Sequence, residues 1–175
     1  MIDQVSDGNI FSANFSKTNS KSNEKFSDYF NVSNGEFLLR KGGLVSRALS
    51  DGSNVMIFKS DEYSTQNPVL KMSITDKNGK LSERLINAND INPKNASQNE
   101  MLALNAHLVE QGKIDDIYTS SVLVGTDTSS VSLEQSDIKR DFIASTRELM
   151  NMQKRAGNME FYYKLEKILE LYNTL

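Results

Sequence analysis

Val69-Leu70-Lys71-Met72-Ser73-Ile74-Thr75, then Asp76-Lys77-Asn78-Gly79, then Lys80-Leu81-Ser82-Glu83-Arg84-Leu85-Ile86, is the stretch whose reading decides the fold. Two aliphatic, β-favouring runs flank an Asn-Gly pair, which is the pattern of an antiparallel hairpin over about residues 69–86. A two-residue Asn78-Gly79 turn would set Ile74 opposite Glu83 and Leu70 opposite Asn87. A four-residue loop, 76–79, sets Ile74 opposite Leu81 and Leu70 opposite Leu85. One slip of register moves every side chain to the other face, so the matching of apolar residues predicts the four-residue loop.

Upstream, Phe37-Leu38-Leu39, Leu44-Val45 and Val55-Met56-Ile57-Phe58 read as short strands punctuated by Gly42-Gly43 and by the turn Ser50-Asp51-Gly52-Ser53. The piece from 44 to 49 also fits a helical face through Leu44, Val45, Ala48 and Leu49. Downstream of Pro93, Ser97-Gln98-Asn99-Glu100 is a capping box, in which hydroxyl and carboxylate satisfy two otherwise orphan backbone N–H groups. It predicts a helix over about 98–111, stopped by Gly112, with Met101, Leu102, Leu104, Leu108 and Val109 on its core side.

A polar linker, 125–130, precedes a second capping box, Ser132-Leu133-Glu134-Gln135. Ile138, Phe142, Leu149 and Met150 then mark one helical face, and Phe161, Leu165, Ile168 and Tyr172 another. At about 100° per residue the two faces diverge by roughly a third of a turn, so one straight helix could not bury both. With Gly157-Asn158 as the break, two packed helices over about 133–156 and 159–173 are predicted, one long kinked helix being the alternative. The expected fold is therefore α+β: a small antiparallel sheet from the N-terminal and central strands, packed with the 98–111 helix and a C-terminal helical hairpin.

Composition agrees with one core. The chain has 175 residues, 38% of them apolar, and a mean hydropathy of −0.49. A domain of this size buries roughly two thirds of its unfolded surface. Residues 12–25, almost all Ser, Asn, Lys and Thr around a single Phe15, cannot repay the entropy of ordering a backbone. Residues 1–25 are accordingly expected to be a disordered tail and 26–175 a single domain. Ile10-Phe11 and Phe26, Tyr29 and Phe30 are apolar spots that could dock on that domain or on a partner.

Several function classes are disfavoured by composition alone. Twenty basic against 23 acidic side chains leave a net charge of −3, with no general affinity for nucleic acid or anionic membranes expected. No apolar run suggests membrane insertion or a cleaved signal. The expected location is cytoplasmic, with secretion lacking a cleaved signal as the alternative. Absence of cysteine removes disulfides, thiolate nucleophiles and Cys-ligated metals, and a single histidine, His107, removes multi-histidine sites.

Residues 58–69 (FKSDEYSTQNPV) and 90–104 (DINPKNASQNEMLAL) resemble a family of uncharacterised proteins from anaerobic Firmicutes. The likeness covers roughly residues 55–110, about a third of the chain. It implies a bacterial origin and a shared middle region. It carries over no catalytic residue, and it favours an accessory or interaction protein over a metabolic enzyme.

The residues themselves offer little chemistry. His107 lies towards the polar side of its helix with no nucleophile motif to serve, and is read as a surface or half-buried histidine. The calcium-loop template starting at Asp90 fails at Asn95, where glycine is needed, and at Met101, where the bidentate Glu belongs. Asp61-Glu62 and Asp115-Asp116 are neighbours expected in solvent, and Lys139-Arg140 and Lys154-Arg155 are expected on the wet faces of helices. No catalytic residue, cofactor or metal is therefore expected.

Asn105, inside an apolar face, is the candidate buried polar residue: it either ties its helix to a neighbouring backbone or lines a polar pocket. Phe161, Leu165, Ile168 and Tyr172, spaced as a helix–helix seam, are the candidate interaction residues, closing on this chain's own core or on another chain. The function expected is a non-enzymatic accessory protein that binds a protein partner through its tail, a sheet edge or its C-terminal helices. Homo-oligomerisation is one form of that. The alternative is a hydrolase or transferase working with carboxylates, Ser and Tyr.

Overall fold

The computed structural model describes residues 43–114 and 131–175, together with a short ribbon in which β1 (Val32–Ser33) pairs with β2 (Glu36–Phe37). The expected tail, the 125–130 linker, Leu38-Leu39 and Asp115-Asp116 lie outside the described residues. The fold is α+β. Its sheet is formed by β3 (Gly43–Ala48), β4 (Asn54–Lys59), β5 (Val69–Thr75) and β6 (Leu81–Asn87), antiparallel in that order, so that β6 closes one side. The helices are α1 (Gln98–Glu110), α2 (Leu133–Ser136), α3 (Phe142–Arg155) and α4 (Met159–Asn173). The ambiguous segment after Gly42 is thus a strand, with a register shift between Gly43 and Val45.

The hairpin forms where expected, but one register away. Thr75 faces Leu81, Ile74 faces Ser82, Met72 faces Arg84 and Leu70 faces Ile86; neither Leu70–Leu85 nor Ile74–Leu81 is a pair. The turn chemistry explains the correction. Asp76 O accepts from Gly79 N–H (2.9 Å), Asp76 N–H donates to Lys80 O (3.0 Å), and the Asp76 carboxylate accepts from the Asn78 and Lys80 N–H groups (each 2.8 Å). With Gly79 at φ +80° this is a turn closed by a left-handed glycine bulge, which adds a residue to the loop. The local hydrogen bonds of Asp76 outweigh apolar matching across the strands.

Alternation sorts the sheet into two faces. Val55, Ile57, Leu70, Met72 and Ile74 point to the core side and are buried among the leucines of α1. On the other side Met56, Phe58 and Ser73 are also buried. That second face stays covered only as far as β5, because Leu81, Glu83 and Leu85 of β6 are all exposed.

Helix α1 starts at the capping box, with Ser97 Oγ accepting from Glu100 N–H and the Glu100 carboxylate accepting from Ser97 N–H. It ends before Gly112 at φ +66°. All of residues 98–108 except the capping Glu100 are buried, since α1 is covered both by the sheet and by the C-terminal helices. Burial of a leucine or methionine there contributes about 1.5–3 kcal/mol each.

The helix expected over 133–156 is two helices. The second capping box does work, Ser132 with Gln135, but α2 ends at Ser136. The chain then turns aside so that Arg140 and Ala96 exchange backbone hydrogen bonds (2.8 and 3.1 Å) and Phe142 N–H reaches Pro93 O (2.8 Å). Asp141 then caps α3 through Ala144 N–H (2.9 Å). Lys139 and Arg140 consequently sit in a loop instead of on a helix. The break at Gly157, φ +73°, is where the sequence places it, and α3 and α4 form the expected hairpin.

Candidate interaction surface

Four polar side chains of α1 are drawn into the core, Gln98, Asn99, Asn105 and His107, and three of them have hydrogen-bond partners there. Asn105 is fully buried, and its Oδ1 accepts from Tyr172 Oη at 2.7 Å. Tyr172 is the last large residue of the α4 seam, so the amide ties α1 to α4. Burial pushes the Tyr172 phenol far above its ordinary range, the Asn105 bond partly opposing this, which keeps the hydroxyl a neutral donor. Asn99 donates from Nδ2 to Ser136 Oγ and to Asp137 Oδ1 (both 2.9 Å), anchoring α2. The buried side chain of Gln98 finds no hydrogen-bond partner among the described residues.

His107 corrects the expectation of a surface or half-buried residue, being only 3% exposed. Its Nδ1 lies 3.1 Å from Tyr63 Oη and its Nε2 2.7 Å from Gln111 Nε2, so both ring nitrogens are engaged. Burial, reinforced by Lys113 and opposed by Glu110, lowers its pKa and favours the neutral ring. Lys59 stands over the Tyr63 ring, 5.1 Å from its centroid, and pairs with Glu110. Every one of these groups is committed to another protein group, as in a structural network joining the 59–65 segment to the end of α1.

The candidate seam is turned inward. Leu165, Ile168 and Tyr172 are buried in the core, with Phe161 half-buried against it. Helix periodicity located this face correctly, and what covers it is the protein's own interior. The carboxylates do not gather. Asp61 and Glu62 fall in an exposed turn after β4, and among the described residues no group of three His, Asp or Glu is placed to hold a metal ion. A cleft of about 310 Å³ beside the C-terminus brings together Asn89, Asp90, Lys94, Asn173 and Leu175; it is lined by no serine or threonine, and its Tyr172 hydroxyl is committed to Asn105.

The surface that sequence reasoning missed is β6. Leu81 and Leu85 are 45% and 60% exposed, on the same side of an outermost strand. The hairpin's end bonds fix which backbone groups face outward. Asp76 and Lys80 are hydrogen-bonded across the loop, as Ala88 N–H is to Pro68 O (3.1 Å) at the far end. Antiparallel pairs alternate, so Ser82, Arg84 and Ile86 bond to β5 while Leu81 and Leu85 turn their N–H and C=O away from it. The misplaced register hid this, since it assigned both leucines to the buried side.

No family model matches the chain, and neither do any curated proteins or solved structures. Function therefore has to be argued from the geometry. Among the described residues no helix is long and apolar enough to cross a membrane.

Proposed function

We propose that this chain is a non-enzymatic bacterial accessory protein that acts by binding another protein, and that the β6 edge is its docking strand. The observation that supports this best is the coincidence, on one outermost strand, of outward backbone donors and acceptors with the exposed Leu81 and Leu85. A strand added there gains main-chain hydrogen bonds, and the alternate side chains read its apolar positions. β6 carries charges of the kind natural edge strands use against indiscriminate pairing, Glu83 and the core-side Arg84, but it is neither shortened nor bulged and it leaves two leucines exposed. The cytoplasm is the location that goes with this reading, and export without a cleaved signal is the alternative.

Photo-crosslinking in the native host tests it. A photoreactive residue at position 85 should give protein adducts, whereas the same residue at position 163, on the exposed side of α4, should not. If position 85 yields no protein adduct, the docking strand is refuted.

A further inference from the structure

We infer that the face of the sheet turned away from α1 is closed by this chain's own N-terminal segment, residues 26–42, packing its aromatic side chains there. That contact is separate from the docking strand. Met56 and Phe58 of β4 are only 3% and 6% exposed, and Ser73 beside them on β5 is buried as well. The residues flanking Met56 across the strands are Ser46 and Ser73, too small to hide it. Among the described residues the helices do not hide it either. The core cluster that unites the opposite face with α1, α3 and α4 takes in Val55, Ile57, Leu70 and Met72 but neither Met56 nor Phe58. Phe58, Ser73 and Glu83, on three neighbouring strands of this face, are moreover each engaged in a further polar, charged or ring contact. The face is therefore covered, and what covers it must bring apolar surface for Met56 and Phe58 together with polar groups beside it.

Two stretches of the chain have the length to do so, residues 26–42 and 115–130. The first is favoured by where it ends, by its side chains and by its charge. It runs into Gly43, which is paired with Phe58, and the patch from Phe58 to Ser73 lies within two strand spacings of β3, about 10 Å. Five extended residues span about 16 Å, so chain entering at Gly43 can cross that patch. Phe26, Tyr29, Phe30 and Phe37 supply rings, which pack favourably on another ring such as Phe58 and on a thioether such as Met56. Residues 115–130 hold a single ring, Tyr118. Arg40 and Lys41 bring cations to a face that carries Glu83, whereas 115–130 has three aspartates and no Lys or Arg. The cover stops short of Leu81 and Leu85, both exposed, so a partner strand on β6 would lie beside it and not beneath it.

Methionine oxidation by hydrogen peroxide in the purified full chain, followed peptide by peptide, tests the inference. In the wild type Met56 should oxidise as slowly as Met72, which is buried on the opposite face, and far more slowly than the exposed Met152. Combining Phe26→Ser, Tyr29→Ser and Phe30→Ser should speed oxidation of Met56 at least about tenfold while Met72 stays protected, the signature of a cover that opens without the core. A Met56 that remains as slow as Met72 in that variant overturns the inference. Crosslinking of the otherwise unaltered chain decides the matter even if the triple variant fails to fold. A photoreactive residue at position 46, exposed and opposite Met56, should give adducts within one chain to residues 26–42. Adducts only to residues 115–130, only to another molecule, or none at all overturn the inference, and none of these outcomes bears on the docking strand at position 85.

Discussion

At the scale of single residues, the α1 polar groups show how burial turns sequence oddities into structural joints. His107 carries the clearest consequence. Its pKa is lowered in the fold, so below the unfolded value of about 6.5 the unfolded chain binds the proton more readily than the folded one. The stability associated with the neutral ring is complete above that value and is lost as pH falls through the lower, folded pKa. Tyr63, Gln111, Glu110, Lys59 and Lys113 are the polar and charged groups around it. We therefore expect thermal melts between neutral and mildly acid pH to show a smaller loss of melting temperature for His107→Gln than for the wild type. An equal loss in both would place the acid sensitivity in the carboxylates instead.

At the scale of elements, local chemistry decided more than hydrophobic pattern did. Both capping boxes operate, and glycines 79, 112 and 157 each take the left-handed conformation that ends a turn or a helix. The hairpin register failed because apolar matching was weighed alone, whereas the Asp76 carboxylate and Gly79 specify a longer loop. Gly79→Ala forces a Cβ into that conformation and should cost about 1–2 kcal/mol, seen as a lower urea midpoint. A midpoint unchanged within error would mean that the turn relaxes to another type. The break after α2 left one weak signal, the helix-starting Asp141: residues 137–141 contain no glycine or proline, and it is the pairing of Arg140 with Ala96 that diverts the chain.

At the scale of the whole molecule, α4 completes a core that the sheet and α1 begin. Leu165 is 0% exposed within that core, so Leu165→Ala should cost about 2–5 kcal/mol and lower the melting temperature equally at low and high protein concentration. A folded monomer with an unchanged melting temperature would show that α4 is not needed to close the core. This behaviour separates the seam from β6, where substitution of Leu85 should alter association and leave the fold alone.

By itself the sequence determined the α+β class, the hairpin's place, the ends of α1, the break at Gly157 and which residues form the apolar face of α4, because turn chemistry and periodicity act over a few neighbouring residues. It also determined that Asn105 would be buried, since an amide inside an apolar stripe has nowhere else to go. Only the tertiary structure decided that Tyr172 bonds to it, that the α4 face closes on this chain's own core, that His107 is enclosed, and that the 133–156 segment is broken. Each depends on what a distant segment brings alongside. The exposure of Leu81 and Leu85 was likewise a tertiary matter: a one-residue change in the loop reverses the face of a whole strand, and nothing within β6 records which face the core will take.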